Sequence, residues 1–357
     1  MPECTRVVSF CLGATTLGVS AQLMPSLQVG QGEAGLHQIS MMCSPVADHG
    51  PADWHRDTDP VSEPPVGAIA ADMQHNGAGY IQWNIALYDD SVLWVVPGSH
   101  RRDLSETEVH ELAGSARGPL SSGLQIKLRA GDGVAYVNHI LHWGSNYSTT
   151  RRRTIHLAYQ AFAASTYRYF HLWWDPAFRA ALADAEHRRV FGRWSALIDK
   201  EHSHIAEIFG AMVARDGKGF RQALAKLHSA PHGRMTTVML LCKEAFKMAA
   251  GEGVTHHCLR NPTIRGPNAR ARHLYDDVTR RMPPGHLAIL CERFAELDRR
   301  LRVSNEEEAR RLPAQANQNS RRTIGPFGFE RFTPPQDFGI DEFVASWETT
   351  SSPPARL

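Results

Sequence analysis

The sequence predicts an α+β chain: a β-sandwich or barrel over residues 1–165, a helical region packed on it over 166–303, and a partly irregular tail over 304–357. Two observations carry this. Up to about residue 165, short β-rich runs alternate with Gly/Pro/Asp turns, a spacing that fits a sandwich or barrel rather than a parallel sheet with crossover helices. After Trp174 the apolar period changes to that of helices. With 357 residues and 42% hydrophobic content, the chain is long enough for one large or two coupled domains.

The elements follow in order. Val7–Val19 is mildly apolar and leads into Val19-Ser20-Ala21 and Gln22, which imitates a signal-peptide cleavage site. Glu3 beside Arg6, and Thr15 and Thr16 within the stretch, favour a buried helix or strand instead. Gly35–Cys43 reads as a strand. In Tyr80–Tyr88, Ile81, Trp83, Ile85 and Leu87 share one face while Gln82, Asn84 and Tyr88 share the other, so one face is expected to pack and the other to be available. Val92–Val96, Gly123–Leu128, Gly133–Asn138 and Thr154–Phe162 are the remaining strands, with turns at Pro97-Gly98-Ser99 and Ala130-Gly131-Asp132. Asp175 and Pro176 suit the start of a helix. Ala177–Phe191, Glu201–Ala214, Phe220–His228, Met235–Ala250 and His286–Arg302 read as helices. The tail from Ser304 is polar and reads as loose, with Phe327, Phe329 and Phe332 as a docking cluster.

Charge and cysteine content narrow the function. A net charge of +2, with basic residues scattered along the chain, argues against a nucleic-acid binder. No CxxC occurs among the six cysteines and no run of about 18 apolar residues exists, so a cytoplasmic protein without a membrane span is expected. Neither a phosphate-binding loop nor a dinucleotide fingerprint appears.

The chemistry-bearing residues begin at Asp53-Trp54-His55-Arg56-Asp57. In an extended segment His55 and Asp57 leave the same face, and together they can bind one metal. With 19 histidines, about one such triplet is expected by chance, so a third ligand is needed. His142 suits that role: it follows the run Gly133–Asn138, precedes a Gly144-Ser145-Asn146 turn, and is followed by Arg151, Arg152 and Arg153. His139 is the alternative. Two histidines and one carboxylate on one face of Fe(II) leave positions for a chelating keto acid and O₂. An arginine supplies a planar cation for the keto acid's distal carboxylate. Gln82 and Asn84 are expected either to bond the keto acid or to form an interior hydrogen-bond network. Trp54 and Trp143 flank ligands and either shield the metal or simply pack. Glu201, His202 and His204, and His256-His257-Cys258, lack metal-ligand spacing.

The ordered set His55-x-Asp57, Val95–Arg101 (Val-Val-Pro-Gly-Ser-His-Arg lies over 95–101 with its neighbours), Gly131-Asp132, His142–Asn146 and then Arg resembles the phytanoyl-CoA dioxygenase family over roughly residues 35–162. The resemblance implies a double-stranded β-helix (jelly-roll) core, Fe(II) and 2-oxoglutarate. It also implies His55, Asp57 and His142 as iron ligands, one Arg as keto-acid anchor, and a small-molecule substrate with O₂. Two departures stand out. Only 54 residues precede His55, which leaves part of the usual helical backing to be replaced, with the C-terminal helices as the expected substitute. The turn after His142 is one residue short, so counting forward selects Arg153. Strand alternation selects Arg152, by placing Thr154 and His156 inward and Ile155 and Leu157 outward. Arg152 is preferred. The competing readings are a jelly-roll metal enzyme that does not use 2-oxoglutarate and a binding protein with a degenerate site.

Overall fold

The computed structural model describes residues 5–24, 34–43, 51–57, 73–75, 77–145, 151–161, 170–174, 180, 182–228, 231, 233–249, 269–273, 282–311 and 337–349. It is a mixed helix and sheet protein whose chain forms two compact units, with the main break after residue 162.

The first unit holds seven strands: β1 (Ala34–Cys43), β2 (Tyr80–Ala86), β3 (Leu93–Val95), β4 (Leu124–Gln125), β5 (Gly133–Tyr136), β6 (His142–Gly144) and β7 (Arg153–Ala161). They form a four-stranded antiparallel sheet in the order β1-β7-β2-β5 and a three-stranded antiparallel sheet in the order β4-β3-β6. The expected strands are present, several of them shorter than the sequence runs. Gly123–Leu128 contributes only Leu124–Gln125 to β4, plus a bridge from Leu128 to Asp90.

Register decides what faces what. Gln82 lies opposite Tyr136, Asn84 opposite His156 and Ala86 opposite Thr154. Because side chains alternate, Gln82, Asn84, Tyr136, Thr154 and His156 share one face of the sheet. All seven residues of β2 are buried, so the polar face is not open as its alternation suggested. Burial of that face is tolerable because Gln82, Asn84, Tyr136, Thr154 and His156 are hydrogen-bonded.

The apolar face is backed by the start of the chain. A helix at Thr5–Leu12, a π-turn at Ala14–Gly18 and a helix at Val19–Leu23 lie there. Trp83 Nε1 donates to Ser20 Oγ at 2.8 Å, and the Tyr159 hydroxyl donates to the Cys11 carbonyl at 2.7 Å. The stretch that imitates a cleavage site is thus packed helix. At Trp83 and Tyr159 the backing comes from residues 5–24. A second cluster joins Trp54, Val96, Leu120, Leu141 and Trp143, with the Trp54 and Trp143 rings stacked at 5.5 Å.

A helix at Glu106–Gly114, unforeseen from the sequence, opens with a capping box. The Ser105 hydroxyl accepts from the Glu108 backbone N–H, and the Glu108 carboxylate accepts from the Ser105 N–H.

The second unit contains a two-stranded antiparallel pair, β8 (Phe170–Trp174) and β9 (Ala269–His273), and helices Ala185–Val213, Gly217–Leu227, Arg234–Ala249, His286–Arg311 and Ile340–Thr349. Three differences from the sequence reading matter. The first helix is capped by Asp184, whose side chain accepts from the His187 N–H, and it runs unbroken to Val213. The helix from His286 continues past residue 304 to Arg311. The tail contains a buried helix, with Phe343 and Trp347 packed among Phe209, Phe220, Leu240 and Phe294. Phe327, Phe329 and Phe332, His256-His257-Cys258, and the start proposed at Asp175-Pro176 lie outside the described residues. Among the described residues no helix is long and apolar enough to cross a membrane.

Candidate metal centre

His55 and His142 meet through backbone pairing. Each donates its N–H to the other's carbonyl at 2.9 Å, an isolated antiparallel bridge on the edge of β6 that faces away from β3. Two residues on, the Asp57 N–H donates to the Asn138 carbonyl at 3.0 Å. This pairing brings the rings of His55 and His142 to 4.3 Å between centroids. Both histidines place Nε2 3.5 Å from a carboxylate oxygen of Asp57. One ligand atom from each of the three residues lies within 4.8 Å of the other two, which is the spacing of donors around a single ion. Among the described residues no other group of three such side chains does this. His139 is fully buried and is not part of it.

The neighbours of the triad hold it in a ligating state. His55 Nδ1 lies 2.7 Å from the Asp53 carbonyl and His142 Nδ1 lies 2.9 Å from the Ile140 carbonyl. A carbonyl only accepts, so each Nδ1 carries the hydrogen and each Nε2 keeps its lone pair toward Asp57. Gln82 Nε2 donates to Asp57 Oδ2 at 2.7 Å and orients the carboxylate. Burial opposes ionisation of Asp57, but His142, His55 and Gln82 outweigh it and hold its carboxyl well below the usual range. Burial pushes His142 down to about 4, against the pull of Asp57. The site therefore offers an anionic oxygen and neutral imidazole, the protonation states that metals need. The donor set fits Fe(II): two nitrogens and one oxygen, with no soft thiolate.

The Pro-Gly-Ser-His-Arg turn acts on this site mechanically. Gly98 takes the left-handed conformation, with φ of 78°, that glycine adopts without steric cost. Ser99 is buried, and its hydroxyl accepts from the backbone N–H of Leu141, one residue before His142. Arg56, between the two ligands of the first segment, donates through Nη1 to the carbonyls of Ser99 and His139, each at 2.7 Å. Trp54 and Trp143 anchor the flanks, donating Nε1 to Gly118 O and Ala52 O at 2.6 and 2.7 Å. They lie in the apolar cluster, consistent with packing.

The three arginines separate. Arg151 is exposed, with its guanidinium 4.6 Å from the centroid of the Tyr88 ring. Arg153 donates to the Arg152 carbonyl at 2.8 Å. Arg152 is buried, in phase with Thr154 and His156, and its Nε donates to Asp90 Oδ2 at 2.7 Å. Asp90 also accepts from the Thr154 hydroxyl and the Val92 N–H, both at 2.8 Å. Burial raises the Asp90 carboxyl, but these bonds prevail and hold it below its ordinary value.

Gln82 and Asn84 are engaged within the protein. Asn84 Nδ2 donates to the Tyr136 hydroxyl at 3.2 Å, and its Oδ1 lies 2.7 Å from His156 Nδ1. Sequence reasoning missed Tyr136 and Asp90. The signal for Tyr136 was its place across from Gln82, which becomes visible only once the register is known. Burial, then the Asp57 charge, push the Tyr136 phenol well above its ordinary value.

No protein-family model and no curated protein matches the chain. Solved structures resemble part of it. AviO1 from Streptomyces viridochromogenes Tue57 aligns at 23% identity over 38% of this chain and 55% of that one, with a TM-score of 0.27. EctD from S. alaskensis with bound Fe aligns at 18% identity over 46% of this chain and 55% of that one, with a TM-score of 0.33. SnoN, a non-heme alpha ketoglutarate dependent epimerase from nogalamycin biosynthesis, aligns at 20% identity over 35% of this chain and 48% of that one, with a TM-score of 0.25. The chain thus spans about half the length of each of these proteins.

Proposed function

We propose that the protein is an Fe(II)- and 2-oxoglutarate-dependent oxygenase acting on a small molecule, built on a double-stranded β-helix core. The observation that carries this is the convergence of His55, Asp57 and His142 on one point, with their ring tautomers and carboxylate already fixed for metal. The buried Arg152, on the same face of the sheet as Gln82 and Asn84, supports the keto-acid part of the reading.

In this reading His55, Asp57 and His142 would hold Fe(II). Arg152 pairs with the distal carboxylate of the keto acid and so orients its 2-keto end toward the triad. Gln82 keeps Asp57 turned to the metal, and the Trp54–Trp143 stack closes the flank against water. The bound Fe(II), 2-oxoglutarate and O₂ together supply oxidation of a substrate C–H bond, with release of succinate and CO₂.

A second reading keeps the metal and drops the keto acid. It is favoured by Asp90, whose carboxylate already matches the Arg152 charge. Anaerobic titration of the Fe(II)-loaded protein with 2-oxoglutarate separates the two. The oxygenase reading expects a weak visible charge-transfer band and, with a substrate found by screening, release of succinate. Fe(II) binding without that band at saturating 2-oxoglutarate would select the second reading.

A further inference from the structure

Tyr136 is held in an unusual hydrogen-bonding state. It lies on the face of β5 that meets β2, opposite Gln82, with its ring 5.7 Å from that of His142. The residue is buried. A phenol has one hydrogen to donate and two lone pairs to accept with. Asn84 Nδ2 donates to the oxygen at 3.2 Å. Gln82, across from Tyr136 in the register, donates its Nε2 to the Asp57 carboxylate, which can only accept. Asn84 is oriented from its far end, with Oδ1 toward His156 Nδ1.

The Asn84 amide N–H therefore occupies an acceptor position of Tyr136. Its own hydrogen has no acceptor among the described residues. A buried O–H without a partner costs on the order of 1–3 kcal/mol, and sites that retain such a group commonly use it on a ligand. The position narrows the ligand. The phenol feels both the Asp57 carboxylate at the metal end and the Arg152 guanidinium at the start of β7. A molecule reaching from the triad to Arg152 passes it, and such a molecule is anionic at both ends if it is a keto dicarboxylate.

We propose that Tyr136 is a ligand-binding residue that donates its hydroxyl hydrogen to a carboxylate oxygen of the bound keto acid, with Asn84 as the positioning residue that aims it. This rests on the oxygenase reading above.

The test uses the full chain loaded with Co(II) in place of iron and titrated with 2-oxoglutarate by calorimetry. Tyr136→Phe should weaken 2-oxoglutarate binding about 10- to 100-fold, the range for a hydrogen bond to a charged acceptor. Co(II) affinity is measured alongside, and a keto-acid loss in excess of any metal loss is the expected signature. Unchanged 2-oxoglutarate affinity in Tyr136→Phe overturns the inference. Should the variant fail to fold, the wild-type protein loaded with diamagnetic Zn(II) gives a second readout. The Tyr136 hydroxyl proton should move downfield in NMR on adding 2-oxoglutarate, and binding without such movement overturns the inference. Failure of the oxygenase reading looks different: wild-type protein would bind metal and then no 2-oxoglutarate, before any variant is made.

Discussion

At the scale of single residues, the fixed geometry of His-x-Asp in extended chain and the turn after His142 pointed to the three side chains that the structure brings together. The backbone pairing of His55 with His142 that does so was not legible, since it is long-range. Alanine at His55, Asp57 or His142 should each abolish stable metal binding, whereas His139→Ala should retain it; equilibrium dialysis with Co(II) checks this, and retained binding in His142→Ala would refute the ligand set. The arginines were legible only in phase. Alternation predicts Arg152 inward, and the structure buries Arg152 and exposes Arg151. What the sequence could not show was Asp90, distant in the chain and brought to 2.7 Å. Loss of a bidentate charged pair in a partly dry pocket costs on the order of 2–5 kcal/mol. Arg152→Ala should thus weaken 2-oxoglutarate binding by about 30- to several-thousand-fold, and Arg153→Ala by little. Removing Arg152 also strands the buried Asp90 carboxylate, so that variant should melt lower, whereas Arg153→Ala should melt near wild type. Equal keto-acid affinities in the two variants would remove the anchor from this strand.

Elements show where local patterns sufficed. The alternation in Tyr80–Tyr88 was enough to find β2 and its polar face, yet not to say that this face is covered, because the cover comes from distant strands. The helix at Glu106–Gly114 was readable in principle: Ser105 and Glu108 stand at capping-box spacing. The closing helix Ile340–Thr349 was hidden by polar neighbours, and its Phe343 and Trp347 acquire meaning only within the cluster around Phe220. Ser105→Ala should cost about 1 kcal/mol by removing the cap, read from denaturant unfolding. Glu108 makes a sharper prediction. Hydrogen bonds from Arg102 outweigh burial and hold its carboxyl at about 2, against an ordinary 4.5. A carboxyl lowered on folding contributes stability that is present above the unfolded value and lost as pH falls toward the folded one. The wild type should therefore lose stability between about pH 4.5 and 2 more steeply than Glu108→Gln. Parallel acid melts of the two proteins would contradict this.

For the whole molecule, composition and period gave the class of chain, β-rich before residue 165 and helical after it. The identity of what backs the sheet was not in those patterns, because Trp83 and Tyr159 choose their partners, Ser20 and Cys11, through tertiary contacts. The bridge between His55 and His142 has a kinetic consequence. The two positions are far apart along the chain, and β2 to β5 lie between them. Closing that distance carries a loop entropy that only the finished strands repay. The binding point is thus expected to form late, after the main barrier to folding has been crossed. An ion that recognises only the finished arrangement slows escape from the native state without hastening arrival. Stopped-flow experiments with and without Co(II) should show a slower unfolding limb and an unchanged refolding limb. A refolding rate that rose with metal would mean that the histidines meet early, with the strands following them.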